Sequence, residues 1–264
     1  MPDGRDSRPR GGSLTVVGTG IDVTTQLTPA ARAAIESSDE VLYLVADSVS
    51  ALRITTLNRC ARSLDGFYGR EKDRRQTYAE IVDEIVTAVF RGAAVCAALY
   101  GHPGIFAYPG HEAVARVRAA GLPARMLPAV SSLDCLVADL GFDPGRTGLQ
   151  TYEAGDFLAR CPPLDPDAAL VLWQVGMIGE RGGAATPAAG EQFRRLLARL
   201  RRLYGDDRQA VLYEASPYPG CRPAVRRFRL DGPDVPSPSA VSTLVVTPAR
   251  VAPRDGGADA VLGG

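Results

Sequence analysis

Short apolar runs recur through the first half of the chain, and segments with helical spacing separate them. The runs cover residues 14–17, 41–45, 93–99 and 124–127. Apolar runs of this length that alternate with helices are typical of βαβ units, whose parallel strands are buried on both faces. The pattern therefore predicts an α/β fold with a doubly wound, mostly parallel sheet in this half.

Amphipathic segments predict the helices between and after these strands. Thr28 and Pro29 form a cap followed by proline at the first helical position, which predicts a helix through residue 37. The clearest pattern spans 74–90, where apolar residues recur every three or four positions and Gly92 follows the end. Segments 110–120 and 131–140 are predicted as shorter helices.

The turn-rich stretch 141–145 interrupts this pattern, and we predict a domain boundary there. Residues 13–143 are then an N-terminal α/β domain and 144–250 a C-terminal one, with tails at 1–12 and 251–264 predicted to be disordered and flexible. Two strands near the end follow each other without a helix, which predicts some antiparallel pairing. The predicted strands of this half are 149–153, 169–173, 210–215, 224–230 and 242–247, and its main helix is 188–204.

Composition and charge exclude several classes of function. Lys and Arg number 30, as do Asp and Glu, so the formal net charge of zero argues against recognition of nucleic acid or an acidic membrane by overall charge. The five cysteines lack metal-ligand spacing, which favours a reducing cytoplasm and no metal site. No apolar run approaches the length of a membrane span. The basic stripe of helix 188–204 has no interleaved aromatic residues and is predicted to be a solvated face.

A glycine-rich turn follows the predicted strand 93–99. It has the sequence Tyr-Gly-His-Pro-Gly-Ile-Phe over residues 100–106. Glycines around a proline let the backbone approach a ligand closely, and open α/β sheets bind ligands at the carboxyl ends of their strands. The turn therefore predicts a ligand loop. The alternative is an ordinary tight turn with a surface histidine.

A second pair of glycines, Gly18 and Gly20, follows the first predicted strand. The third glycine of a dinucleotide-binding fingerprint is missing, because Val23 stands at its position. The pair is therefore weak support for a dehydrogenase. It indicates either the close approach of another ligand or a turn that is merely structural.

Arg74 and Tyr78 lie four residues apart at the start of the helix 74–90, so both side chains leave the same helix face. A nearby cation favours the phenolate form of a tyrosine and lowers its pKa towards the range of a general base. Tyr68 and Tyr100 join this group if the preceding loop folds over the strand end. The alternative is half-buried packing for the tyrosine and a solvated charge for the arginine.

Taken together, four segments resemble the tetrapyrrole methylase superfamily of S-adenosylmethionine-dependent methyltransferases. They are 14–20 (Leu-Thr-Val-Val-Gly-Thr-Gly), 100–104, 126–132 (Met-Leu-Pro-Ala-Val-Ser-Ser) and 241–245 (Val-Ser-Thr-Leu-Val). A closer resemblance to the borosin-type peptide backbone α-N-methyltransferases lies in Arg74-x-Gln76-Thr77-Tyr78 and in 134–140, 151–158 and 174–176. The resemblance covers about 13–250. It implies two α/β domains, with a mostly parallel first sheet, a mixed second sheet and a cofactor cleft between them.

The resemblance implies that S-adenosylmethionine is the cofactor. His102 stands where many superfamily members carry Asp and the borosin-like branch carries His, so this position separates the subfamilies. The implied cofactor contacts are His102, Pro103, Gly104, Ile105, Phe106, Ser131, Ser132, Gln174, Tyr213, Ala215, Ser242 and Thr243.

The same resemblance implies that Tyr68, Arg74, Tyr78 and Tyr100 surround a reacting amide. A tyrosine takes or relays the amide proton, while Arg74 favours phenolate and binds the negative imidate oxygen. Which tyrosine is the base stays open. Asp65 stands where some members carry an additional tyrosine, so the alternatives are a reduced catalytic set or a different substrate.

The resemblance therefore implies α-N-methylation of backbone amides in a ribosomal precursor peptide. Fused members continue into a core peptide of their own, and the tail 251–264 is too short for one, so we expect a peptide supplied in trans and a homodimeric enzyme. One alternative is a methyltransferase for a tetrapyrrole or another small metabolite. The other is a catalytically idle homologue that binds peptide.

Overall fold

A computed structural model of the chain describes residues 11–69, 72–180 and 187–248, which pack into two compact units. Of these residues, the first unit contains 11–135 and Ala215–Arg222, and the second contains the rest. The predicted domain limits, 13–143 and 144–250, differ from the unit limits and stay a prediction. The predicted tails lie outside the described residues, apart from Gly11 and Gly12.

The first unit is built on a five-stranded sheet in which every pairing is parallel. Its strands stand in the order β3-β2-β4-β1-β5, which confirms the predicted parallel sheet. The strands are β1 (Ser13–Gly18), β2 (Glu40–Leu44), β3 (Ala61–Ser63), β4 (Ala94–Leu99) and β5 (Ala124–Met126). The helices around them are α1 (Val23–Gln26), α2 (Pro29–Ser37), α3 (Ser48–Leu57), α4 (Arg74–Phe90) and α5 (Tyr108–Ala119).

Alternate residues of each strand face opposite layers of helices, because successive side chains in a strand point to opposite faces. Val16 packs with Ile81 of α4 and Val114 of α5 in one hydrophobic cluster. Its neighbour Val17 packs with Ile35 of α2 in another. The sheet is therefore covered on both faces, as predicted for a doubly wound fold.

The second unit is built on a mixed sheet with the strand order β6-β7-β10-β8-β9. Only β6 and β7 pair in parallel, and the other three pairings are antiparallel. The strands are β6 (Leu149–Glu153), β7 (Ala169–Trp173), β8 (Gln209–Glu214), β9 (Ala224–Arg229) and β10 (Thr243–Val246). The helices that follow α5 are α6 (Ser132–Leu140), α7 (Pro144–Thr147), α8 (Ala154–Arg160) and α9 (Pro187–Tyr204).

The core of the second unit lies where α9 and α8 meet the sheet. Phe193, Leu196 and Leu200 of α9 pack with Phe157 of α8 and with Leu212 of the sheet. No helix among the described residues is long and apolar enough to cross a membrane.

Candidate active site

The chain segments that follow β1 and β4 cross each other at the carboxyl ends of these two inner strands. After β1 the chain continues to β2, which lies beyond β4, whereas after β4 it continues to β5, which lies beyond β1. Gly20 and Gly101 meet at the crossing, where each backbone N–H donates to the carbonyl of the other, at 3.3 and 3.0 Å. The glycine-rich loop is thus held at its first glycine by the loop that follows β1.

Three glycines make this crossing possible. A Cβ on Gly18 would lie 2.1 Å from the carbonyl oxygen of Gly101, which no side chain can tolerate. Gly20 and Gly101 have φ angles of +72° and +66°, a left-handed conformation that glycine adopts without strain. The structural interpretation of Gly18 and Gly20 therefore accounts for both residues.

The rest of the loop is organised by its two histidines. The backbone N–H of Gly104 donates to Nδ1 of His102 at 3.0 Å, so the neutral ring of His102 carries its proton on Nε2. Nε2 of His111 lies 2.9 Å from the carbonyl oxygen of Gly104. His111 thus supports the loop from α5, while His102 keeps a ring N–H for donation.

Two apolar side chains of the loop are partly exposed to solvent. The exposed fraction is 40% for Ile105 and 48% for Phe106. Phe106 has a φ of +52°, which is uncommon for a residue with a side chain and indicates a constrained conformation. The loop therefore presents an apolar surface next to the half-buried His102.

Ser131 and Asp134 cap the N-terminus of α6 by reciprocal hydrogen bonds. Asp134 accepts from the backbone N–H and the hydroxyl of Ser131 at 2.7 and 2.6 Å, and its own N–H donates to Ser131 Oγ at 3.3 Å. Burial acts to raise the pKa of Asp134, but these hydrogen bonds outweigh it and lower that pKa. The hydroxyl of Ser131 is thus committed to the helix cap, whereas Ser132, the first helical residue, is only half-buried.

Three of the four predicted catalytic residues come together at the start of α4. Tyr68 and Tyr78 share a side-chain hydrogen bond, and the charge of Arg74 acts on Tyr68. The ring of Tyr78 also stacks on that of Tyr108, with centroids 6.4 Å apart and planes inclined by 23°. Tyr68 and Tyr78 are called the tyrosine pair below.

The charge of Arg74 does not control the ionisation of Tyr68. Burial is the largest influence and raises the pKa of Tyr68, and the neighbouring Tyr78 raises it further. Arg74 lowers that pKa by a smaller amount, so the net direction is upward. At Tyr68 the arginine therefore acts in the expected direction, towards phenolate, but burial outweighs it.

The charged and polar groups that influence the pKa of Tyr100 differ from those at Tyr68. Burial raises the pKa of Tyr100 to about 12, and the further contributions come from Cys135 and Asp47. Its backbone N–H donates to the carbonyl of Leu44 at 2.9 Å, which fixes it at the end of β4 beside β2. Its part in a site with Arg74 and Tyr78 stays a prediction.

In the second unit, the predicted cofactor residues lie at strand ends and are largely buried. Gln174 adopts a left-handed conformation (φ +57°) directly after β7, and the next N–H donates to the carbonyl of Ser242. The Tyr213 hydroxyl donates to Asp139 at 2.6 Å. Thr243 begins β10 opposite Tyr213. The Tyr213 hydroxyl is therefore engaged inside the unit, and so is the Ser242 hydroxyl, which donates to Glu214.

Glu214 organises this region, and sequence reasoning missed it. Its carboxylate accepts hydrogen bonds from Ser242 and from Ser239, the latter at 2.7 Å, and pairs with Arg226. Burial acts to raise the pKa of Glu214, but the two serine hydrogen bonds and Arg226 outweigh it and lower that pKa. A glutamate at a strand end carries no periodic signal, so its partners could be identified only in the folded unit.

Several solved structures share the fold of this chain. The chain resembles a uroporphyrin-III-C-methyltransferase from Thermus thermophilus, with a TM-score of 0.62 and 22% identity over 89% of this chain and 92% of that one. A diphthine synthase structure gives a TM-score of 0.59 at 15% identity, over 89% and 90% of the two chains. The fold is therefore that of two-unit α/β methylases.

Sequence comparison gives the family. The profile of the tetrapyrrole (corrin/porphyrin) methylases matches residues 13–222, and the chain belongs to this family, whose members use S-adenosylmethionine. A methyltransferase/borosin cyclic peptide precursor of Coprinopsis marcescibilis is 38% identical over 85% of this chain and 58% of its own length. The methyltransferase/omphalotin A precursor of Omphalotus olearius is 38% identical over 90% and 58%. The chain thus spans a little over half the length of these relatives.

Proposed function

We propose that the chain is an S-adenosylmethionine-dependent methyltransferase that α-N-methylates backbone amides of a precursor peptide carried on a separate chain. The observation that carries the proposal is the hydrogen-bonded tyrosine pair under the charge of Arg74. The relatives that are 38% identical support it, because their names join a methyltransferase to a peptide precursor.

The residues of the first unit fit the cofactor by their chemistry. S-adenosylmethionine combines a flat apolar base with polar ribose and amino-acid groups. The loop offers partly exposed apolar side chains at Ile105 and Phe106 and a ring N–H at His102. Gly104 and Pro103 keep the backbone compact between them. In the same proposal Ser132, Gln174 and Ala215 contribute further contacts to the cofactor.

The chemistry of the substrate explains why a tyrosine pair is needed. An amide nitrogen is a poor nucleophile because its lone pair is delocalised into the carbonyl, so it must lose its proton as its oxygen gains negative charge. S-adenosylmethionine supplies the methyl group: its sulfur–carbon bond breaks as the nitrogen–carbon bond forms. Arg74 stabilises the negative amide oxygen, and the oxygen of a tyrosine in its phenolate form receives the amide proton to become a hydroxyl.

We assign the role of base to Tyr78 and that of hydrogen-bond donor to Tyr68. The raised pKa of Tyr68 keeps its proton in place, and part of that increase comes from its hydrogen bond with Tyr78. A protonated Tyr68 therefore donates to Tyr78 and stabilises negative charge on the Tyr78 oxygen. The stacked ring of Tyr108 fixes the orientation of Tyr78.

The test is methyl transfer by the full chain, measured by mass spectrometry. The chain is incubated with S-adenosylmethionine and a panel of synthetic peptides, and in parallel with uroporphyrinogen. We expect mass increments of one methyl group on a peptide, which fragmentation places on backbone nitrogen. Methylation of the tetrapyrrole alone would overturn the proposal. Methylation confined to the enzyme's own chain would overturn supply in trans, and peptide binding without transfer would indicate an idle homologue.

Conservative variants test the assigned roles. Tyr78→Phe is expected to lower kcat by about 100-fold or more, the usual size of a lost general base, and Tyr68→Phe by less. The matched control is Tyr204→Phe. The Tyr204 hydroxyl is buried in the second unit without a hydrogen-bond partner among the described residues, so its removal leaves kcat unchanged. Equal rates for Tyr78→Phe and this control would contradict the assignment.

The proposal also includes a homodimer in the cytoplasm. All five cysteines lie among the described residues as thiols rather than disulfides, and those of Cys60, Cys161 and Cys221 belong to exposed residues, which supports a reducing compartment. Light scattering after size-exclusion chromatography tests the dimer. A monomeric mass across the working concentration range would contradict it.

A further inference from the structure

One carbonyl group of the segment that carries Tyr68 is hydrogen-bonded to two side chains at the start of α4. Tyr68 lies directly after a short 3-10 helix, Asp65–Phe67, and outside α4 itself. The carbonyl oxygen of Phe67 accepts from the Lys72 ammonium at 2.8 Å and lies 3.4 Å from the hydroxyl of Thr77, which is buried in α4. Two donors thus converge on the peptide group that joins Phe67 to Tyr68.

Lys72 is in turn anchored to α4. Its ammonium forms an ion pair with Glu80, in the second turn of the helix. Gln76 donates to the other carboxylate oxygen of Glu80 at 3.2 Å. The Lys72 side chain is only 23% exposed, so water screens this pair less than a fully exposed one. Lys72 therefore connects the Phe67 carbonyl to the second turn of the helix that carries Tyr78.

The position of Tyr68 relative to Tyr78 depends on this connection. Tyr68 and Tyr78 belong to different segments, and a hydrogen bond between two hydroxyls tolerates little displacement. The Tyr68 N–H is already used by the carbonyl of Asp65 at 3.0 Å, within its own turn. Leu64 and Phe67 pack in one hydrophobic cluster with Ile81 of α4, and the polar contacts from this turn to α4 run through the Phe67 carbonyl and the Tyr68 hydroxyl.

We propose that Lys72 is a positioning residue for Tyr68, with Glu80 as its anchor: the ammonium holds the Phe67 carbonyl and so places the Tyr68 hydroxyl against Tyr78. The inference rests on the proposed function, because it assumes that the tyrosine pair acts on the substrate. Lys72 itself touches neither substrate nor cofactor in this account.

The kinetic test compares Lys72→Met, Lys72→Arg and Glu80→Gln with the full-length wild type on the best peptide substrate. We expect Lys72→Met to lower kcat about tenfold, since small misplacements of reacting groups cost one to two orders of magnitude. The KM for S-adenosylmethionine stays unchanged. Lys72→Arg restores part of kcat because it retains charge and donor. Lys72→Arg no faster than Lys72→Met, or an unchanged kcat in Lys72→Met, would overturn the proposal.

The matched control removes a different ion pair from the same helix. Arg116 of α5 binds Asp83 of α4 at 2.7 Å, on a part of α4 that does not hold Phe67. Arg116→Met is expected to leave kcat unchanged. An equal loss in Arg116→Met and Lys72→Met would show that kcat follows the general stability of α4, and would overturn the positioning role.

A second readout does not depend on methyl transfer. With 3-fluorotyrosine at position 68, the ¹⁹F resonance reports the surroundings of this ring. We expect Lys72→Met to shift or broaden the resonance, and Arg116→Met to leave it unchanged. An unshifted resonance in Lys72→Met overturns the positioning role even if peptide methylation is confirmed. If no peptide is methylated, the proposed function fails while the ¹⁹F result still decides where Lys72 places Tyr68.

Discussion

Desolvation of the Tyr68 phenol changes its pKa more than the neighbouring Arg74 cation does. The ordinary pKa of tyrosine, about 10, rises when the ring is taken out of water, because phenolate loses hydration. Arg74 offsets only part of this increase. Tyr68 therefore keeps its proton to a higher pH than an ordinary tyrosine, which is why the proposed function assigns the base to its partner, Tyr78.

Alkaline titration tests this ordering of the tyrosines. The pKa is raised for Tyr68 and raised to about 12 for both Tyr100 and Tyr204, so all three are expected to ionise after the exposed tyrosines. Each raised pKa contributes stability that is present below pH 10 and lost as pH rises further. Phenolate absorbance followed against pH should lose one late step in Tyr68→Phe. Loss of an early step instead would contradict the buried, protonated state.

The sequence predicted part of the candidate site, for a physical reason. Arg74 and Tyr78 share a helix face by their spacing alone. The partners Tyr108 and Lys72 could not be predicted, because they act through contacts between separate segments. Asp134 could not be predicted, because it acts through a helix cap in which a backbone N–H is a donor. Tyr100 has the neighbours of its own strand end, Cys135 and Asp47.

At the scale of elements, helices and strands were predicted correctly where burial imposes a regular spacing of apolar residues. The helix Arg74–Phe90 and the strands Leu149–Glu153 and Ala169–Trp173 have the limits that were predicted. The helix α3 was missed, because its β-branched residues favour strands and its exposed Val49 and Leu52 interrupt the apolar stripe. The three-residue β3, with two exposed residues, gives no detectable alternation. The short helices α1, α7 and α8 are also too brief to show a period.

The crossing of the loops after β1 and β4 makes a sharp prediction. Gly18→Ala places a methyl group 2.1 Å from the Gly101 oxygen, so the two backbones must separate. We expect a loss of about 1–3 kcal/mol in the free energy of unfolding, typical of overpacking. Urea denaturation measures it.

The control for this substitution is Gly190→Ala in α9. A Cβ there meets no atom within 4 Å, and alanine is the better helix former by about 1 kcal/mol. This variant is expected to gain stability. Similar losses of unfolding free energy in Gly18→Ala and Gly190→Ala would show that the close contact at the crossing is not the cause.

At the scale of the whole molecule, each unit has a hydrophobic core of its own. Glu214→Gln removes the carboxylate that holds Ser239 and Ser242 in the second unit, at an expected cost of about 1–2 kcal/mol at pH 7. Because its folded pKa is lowered, this stability is present above the ordinary pKa of glutamate, about 4.3, and is lost as pH falls through the folded value. The difference from wild type should therefore shrink below about pH 4.

Hydrogen exchange locates the effect of Glu214→Gln. Protection is expected to fall in β8 and β10 and to remain in β1 and β4 of the other unit. Asp231→Asn, which removes an exposed ion pair with Arg229 next to β9, is the control and should change little. Equal loss of protection in both sheets would show that the two cores unfold as one.

The strand order of the second sheet also determines when it can form during synthesis. All five strands of the first sheet have been made once residue 126 is added. The middle strand of the second sheet, β10, is instead the last of the described strands to leave the ribosome, and until then β7 and β8 have no partner between them. Unpaired strand edges invite association with other chains. The nascent second unit is therefore the part of the molecule that most needs protection from aggregation.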